Sequence, residues 1–143
     1  MMAINWSSIQ VTAVRLHPGA DLKSELQRLA NDQHLRAAAV ISAVGSLSKV
    51  SLRFANQGET SVIEGKHEII SLGGTLAHDG IHLHMSVANS EGQMFGGHVM
   101  DGSIIFTTLE VVIAELGDLV FEREECPTSG YKELLVKRRS ENA

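Results

Sequence analysis

Ile81-His82-Leu83-His84-Met85-Ser86-Val87-Ala88, a polar break at Asn89-Ser90-Glu91-Gly92, and the run from Gln93 to Met100 with Gly96-Gly97-His98 inside it decide how this chain folds. Residues two apart on a strand share a face. Ile81, Leu83, Met85 and Val87 therefore lie on one side, and His82, His84, Ser86 and Ala88 on the other. If Ser90-Glu91-Gly92 is a three-residue hairpin loop with Gly92 left-handed, Asn89 pairs with Gln93. Counting back sets His84 opposite His98, with Cβ atoms about 4.5–5.5 Å apart. Three imidazoles then converge on one patch, and three nitrogen ligands with an open fourth position make a zinc-type arrangement. A two- or four-residue loop would turn His98 to the other face, because a one-residue slip swaps the sides of a strand. A bulge at Gly96-Gly97 would change the parity again. The alternative is then a polar, water-facing row on a half-exposed sheet.

Outward from this hairpin the chain reads as strands and one helix. Ile9–Leu16 is a β-branched first strand, broken by His17-Pro18-Gly19. Asp21 caps a helix that presents Leu22, Leu26, Leu29 and Ala30 on one face and ends near Gln33. His34 reads as a plain, stabilising residue at the helix C-terminus. Ala37–Val44 is apolar on both faces, the pattern of a central strand or one buried on both sides, and Gly45-Ser46 ends it. Lys49–Ala55 alternates, with Val50, Leu52 and Phe54 on one side and Ser51 and Arg53 on the other. Gly58 marks a turn. His67–Leu72 is a strand ending at Gly73-Gly74, and His78-Asp79-Gly80 forms a loop. Beyond the hairpin, Asp101-Gly102 is a turn signal. Ile104–Leu116 is a long strand, apolar on both sides over Val111–Ala114. Leu119–Glu122 and Tyr131–Val136 complete the chain.

These elements predict an α+β fold, with one main helix packed on a largely antiparallel sheet of about seven or eight short strands. One short helix cannot cover both faces of such a sheet. Either the sheet curls on itself or its second face meets another subunit; the two together predict a homo-oligomer, and a closed, monomeric, barrel-like sheet is the alternative. The length, 143 residues, suits a single domain.

With a formal net charge of -5, the chain is repelled by nucleic acid unless its basic groups are segregated. The one basic cluster, Lys137-Arg138-Arg139, is followed at once by Glu141 and reads as a solvated terminus. Cys126 is the only cysteine, a loop residue before Pro127, so no intrachain disulfide forms, which fits a reducing interior. Met1–Gln10 has no basic region followed by an apolar stretch, and no run is long enough to cross a bilayer. A cytoplasmic protein with no membrane contact is expected.

In order along the chain, Gly45-Ser46-Leu47, Glu68-Ile69-Ile70-Ser71-Leu72-Gly73-Gly74-Thr75, His82-Leu83-His84, Gly92, Gly96-Gly97-His98 and Glu110-Val111-Val112 resemble the PPC domain, the domain conserved in plants and prokaryotes. The likeness runs from about Arg15 to about Leu116. Gly130-Tyr131-Lys132-Glu133-Leu134 is similar to the closing strand of the bacterial members. The resemblance implies one PPC-like domain over residues 1–143, with its core at about 9–137. It also implies a compact α+β fold, a homotrimer, and a prokaryotic-type site on His82, His84 and His98. Plant members carry a basic AT-hook that enters the minor groove. The 143 residues contain no such segment, since Arg138-Arg139 lacks the glycine and proline context, so DNA binding enters by family analogy alone. Plant members carry a glycine-arginine-phenylalanine-glutamate run used in partner contacts; here the run is Gly65-Lys66-His67-Glu68, a departure that puts transfer of that role in doubt.

Neutral imidazole suits zinc, and also copper, nickel and iron. A bound ion with an open position would activate water or polarise a small ligand. Gly96 and Gly97 leave room beside the patch for a cofactor or ligand; a bulge or a tight backbone approach also explains them. An enzyme needs a proton-transfer group as well. The candidates are Glu110, Thr107, Thr108 and Asp101. A two-residue turn at Asp101-Gly102 puts Thr107 on the histidine face; a three-residue turn brings Thr108 and Glu110 round instead. Structural hydrogen bonding or a subunit boundary also accounts for Glu110, and His78 reads as a solvent-exposed loop residue. Two function classes follow: a metal- or small-ligand-binding oligomer with a regulatory or sensing role, and a metal-dependent enzyme acting on a small polar substrate.

Overall fold

Asparagine and glycine close the central hairpin as a three-residue loop. In the computed structural model, which describes residues 3–140, the Asn89 amide donates to the Gln93 carbonyl at 3.0 Å and the Gly92 amide to the Asn89 carbonyl at 2.9 Å. Asn89 Oδ1 also accepts from the amides of Glu91 and Gln93, and Gly92 sits at φ 78°. This left-handed position favours glycine.

Among the described residues the elements run β1 (Ile9–Leu16), α1 (Leu22–Asp32), β2 (Ala38–Arg53), β3 (Ser61–Ala77), β4 (Gly80–Ala88), β5 (Met94–Val99), β6 (Ile104–Leu116), β7 (Leu119–Glu125) and β8 (Lys132–Arg138). The first six strands form one antiparallel sheet in the order β1-β6-β2-β3-β4-β5. The end of β2 also pairs with β5, Leu52 with Val99 and Arg53 with His98, so the sheet curls back on itself. The chain is thus one α+β unit, with a single helix on a curled, largely antiparallel sheet.

The core fills the inside of the curl. Leu47, Val50 and Leu52 from β2 meet Leu83, Met85 and Val87 from β4 and Leu109, Val111 and Ile113 from β6. Helix α1 closes one side with Leu22, Leu26 and Ala30, all fully buried. Burying each leucine contributes about 2 kcal/mol. Asp21 holds the helix start by accepting from the Ser24 amide at 3.0 Å, a cap worth about 1 kcal/mol.

Three expectations are corrected. Gly45-Ser46 and Gly73-Gly74 do not end strands; β2 and β3 run through both, over 16 and 17 residues. At Gly45 and Gly74 the glycines serve close approach, because a Cβ on Gly45 would overlap the Thr108 carbonyl and one on Gly74 the His82 carbonyl. Register shifts in β2 and β3 absorb the curvature. Second, β6 does not form a hairpin with β5. After the turn at Asp101-Gly102 it crosses to lie between β1 and β2, tied by the Asp21–Ile104 bridge and by Gly102 N–H donating to Asp21. The parity argument for Thr107 and Glu110 therefore falls. Third, β7 and β8 form a separate two-stranded ribbon outside the main sheet. Leu119 and Phe121 anchor this ribbon on Ala37 and Ala77. Ala38–Val44 lies in β2, a central strand between β6 and β3, with Ile41 56% and Val44 61% exposed on its outer side. Glu141, read as offsetting the basic tail, lies outside the described residues.

Candidate metal centre

Strand pairing brings the three histidines together. His84 faces His98 across the β4–β5 ladder, with no register shift at Gly96-Gly97. His82 stands two residues along the same face. His82 Nε2 lies 3.2 Å from His84 Nε2, and one ring nitrogen from each of His82, His84 and His98 falls within a set whose members are all within 4.8 Å of one another. Ligands about 2.0–2.1 Å from a tetrahedral ion stand roughly 3.3 Å apart, so the donor set fits a zinc-sized ion with little side-chain movement. Both histidine pairs with His98 are in ring contact, at centroid distances of 4.9 and 5.6 Å.

The surroundings favour the neutral rings of His82 and His98, the form that binds metal. Burial, followed by the positive field of Arg53, pushes the His98 pKa down to about 4. Burial also lowers the His82 pKa, with His84 and Arg123 adding to the effect and Glu133 opposing it. An unfolded chain takes up a proton near pH 6.5 that folded His98 refuses until about pH 4, so folding stability rises with pH across that window. Metal-free protein is expected to melt at progressively lower temperature as the pH falls from 6.5 towards 4. His98→Asn should make that slope shallower; identical slopes for wild type and variant would contradict the assignment.

The other predicted residues fall elsewhere. Glu110 lies opposite Arg15 on β1 and Val44 on β2 and lines a separate cleft with Ser42 and Val112. Thr107 shares a 2.7 Å hydrogen bond with Ser46, and Thr108 accepts from Arg15 Nε at 2.9 Å. Asp101 lies 3.9 Å from Lys23. His78 is exposed in the β3–β4 turn, and His34 follows the helix C-cap at φ 53°. Gly96 and Gly97 line a cleft with all three histidines and Arg53. A Cβ on Gly97 would come within 2.7 Å of the Arg53 carbonyl, so close backbone approach explains this glycine as well as open space does.

Four residues beside the histidines had no sequence signal. The β7–β8 ribbon folds over the histidine face, so Arg123, Tyr131 and Glu133 join Arg53 in a cleft next to His82 and His98. Asp79 fixes the ribbon by accepting from the Arg123 amide at 2.9 Å.

Comparison with known proteins places this geometry in context. The model of the Plants and Prokaryotes Conserved (PCC) domain matches residues 5–117. The bifunctional protein GlmU of a Synechococcus species is 45% identical over 134 residues, 94% of this chain and 22% of that protein. This chain therefore spans less than a quarter of that relative. An Arabidopsis thaliana AT-hook motif nuclear-localized protein is 31% identical over 82% of this chain and 48% of its own length. Among solved structures, a hypothetical protein from Salmonella enterica superimposes with a TM-score of 0.93 at 44% identity, covering 95% of this chain and 99% of that one. A metal-containing protein from Archaeoglobus fulgidus gives 0.79 at 24% identity, over 94% and 99% of the two chains, which shows a shared fold.

Proposed function

The chain belongs to the Plants and Prokaryotes Conserved domain family, and on that premise we propose that it is a homotrimeric binder of a divalent metal, zinc by ligand type, with a regulatory or sensing role towards a small-molecule ligand. The observation that carries the metal assignment is the gathering of His82, His84 and His98 within 4.8 Å. Lowered proton affinity at His82 and His98 supports it, as does the metal reported for the Archaeoglobus protein of the same fold. When bound, such an ion supplies Lewis acidity at its open position. Gly96 and Gly97 keep side chains out of that space, and burial favours the neutral rings of His98 and His82.

Elemental analysis of protein purified without chelator tests the metal assignment. About one zinc-class ion per chain is expected for a three-histidine site; a metal-free protein that also fails to take up added zinc would refute it.

Trimer formation is supported by the outer face of the sheet. Val11 on β1, Ile41 and Val44 on β2 and Ile70 on β3 are 55%, 56%, 61% and 52% exposed, apolar side chains that a partner subunit would cover. Light scattering is expected to give three times the 15.4 kDa chain mass, and a value equal to one chain would refute assembly. Glu110 then sits at the subunit boundary.

A second reading, a metal-dependent enzyme on a small polar substrate, is favoured by one observation: Glu133 puts a carboxylate in the cleft beside His82. That residue supplies the proton-transfer group that Glu110 does not. Turnover by the metal-loaded protein that disappears in Glu133→Gln with metal content intact would decide for the enzyme.

A further inference from the structure

The charges around the histidines run against the charge of the whole chain. The protein carries a formal net charge of -5, yet the cleft of about 340 Å³ beside His82 and His98 is lined by Arg53, Arg123 and Lys132, with Glu133 its one carboxylate. Two of these cations are held in place. Arg123 Nη2 donates to Thr75 Oγ1 at 2.8 Å, and the Arg53 guanidinium carbon lies 5.9 Å from the centre of the Tyr131 ring. Among the described residues neither arginine forms an ion pair with a carboxylate. A guanidinium that gives one N–H to a hydroxyl keeps four more to donate, and its planar fork matches phosphate or carboxylate oxygens. The cleft has the size of a small-molecule site.

We propose that Arg53 and Arg123 form a subsite for the oxyanion, phosphate or carboxylate, of a small molecule seated against the three histidines. This deepens the metal-binding function and rests on it for the ligand's second anchor, while the arginine grip stands without the ion. Glu133 is the one carboxylate lining the same cleft, where it can accept from a hydroxyl or amine of the occupant.

Titration calorimetry on the full chain, zinc-loaded and zinc-stripped, tests the subsite with inorganic phosphate and, separately, malonate. Binding at one site per chain is expected for at least one probe. The tighter probe identifies the phosphoryl or carboxylate class. Arg53→Gln and Arg123→Gln should each weaken binding by roughly tenfold or more, the loss of a charge-assisted hydrogen bond, with zinc content unchanged. Arg28→Gln, on the exposed side of α1, should bind like wild type. Arg53→Gln keeps the test decisive if Arg123→Gln loosens the ribbon, because the Arg53 guanidinium makes its recorded contact with Tyr131 at the surface. Absence of binding by both probes, or binding unchanged in both cleft variants, would overturn the proposal. Arginine-dependent binding in a protein that takes up no zinc would refute the metal function and leave the subsite standing; zinc uptake without arginine-dependent binding would do the reverse.

Discussion

His84→Ala is expected to take the purified protein from about one bound ion per chain to almost none, while His78→Ala keeps its metal. His84 is paired with His98 across β4–β5 and lies 3.2 Å, nitrogen to nitrogen, from His82. Removing it leaves two imidazoles, too few to hold a divalent ion against water and buffer. Loss of an outer-shell partner alone costs roughly 10–100-fold in metal affinity, so loss of a ligand costs more. His78 is the matched control: it is four residues from His82 in sequence and also next to a glycine turn, but exposed in a loop and outside the cluster. Elemental analysis of both variants, prepared alike, reads the result. Equal metal loss in the two, or none in either, contradicts the ligand assignment.

Gly74→Ala is expected to cost about 3 kcal/mol or more, from overpacking and an unfavourable backbone angle together, and to lower the melting temperature by roughly 10 °C if the protein folds at all. Gly74 sits at φ 140°, and a Cβ there would overlap the His82 carbonyl. The strand that carries two of the three histidines would have to move away from β3. Gly73→Ala provides the contrast, since nothing lies within 4 Å of its added Cβ. A surface change of that kind usually stays within about 0.5 kcal/mol. Thermal melts of the two variants that coincide would contradict the close-approach account of Gly74, and with it the β3–β4 packing that sets His82 in place.

The same glycine pair shows where reading the sequence succeeded and where it stopped. Local chemistry is readable: Asn89 and Gly92 specify a three-residue loop, strict alternation over 81–88 specifies the faces, and the two together set His84 opposite His98, the pairing the sheet adopts. Asp21 and the Leu22, Leu26, Ala30 spacing specified the helix. Glycine was the ambiguous letter. At Gly92 it allows a left-handed turn, whereas at Gly45 and Gly74 it admits a neighbouring backbone to an extended strand, and nothing local distinguishes the two uses. Non-local pairing was the other gap. The turn at Asp101-Gly102 resembles a hairpin, yet Asp21, some 80 residues earlier, captures the Gly102 amide and redirects β6. For the same reason Arg53, Arg123, Tyr131 and Glu133 carried no signal: they reach the histidines only because β2 closes onto β5 and the β7–β8 ribbon folds across the outer face. The apolar pattern of Ala37–Val44 specifies a central strand, and the curl of one chain leaves Ile41 and Val44 exposed on its outer side.

Anomalous diffraction from crystals of the protein purified without chelator, recorded on both sides of the zinc absorption edge, addresses the central claim directly. The account predicts a peak that strengthens above the edge, about 2.0–2.1 Å from one ring nitrogen of each of His82, His84 and His98. A map with no anomalous density between those three rings, at the zinc edge or at that of any other first-row metal, would contradict it.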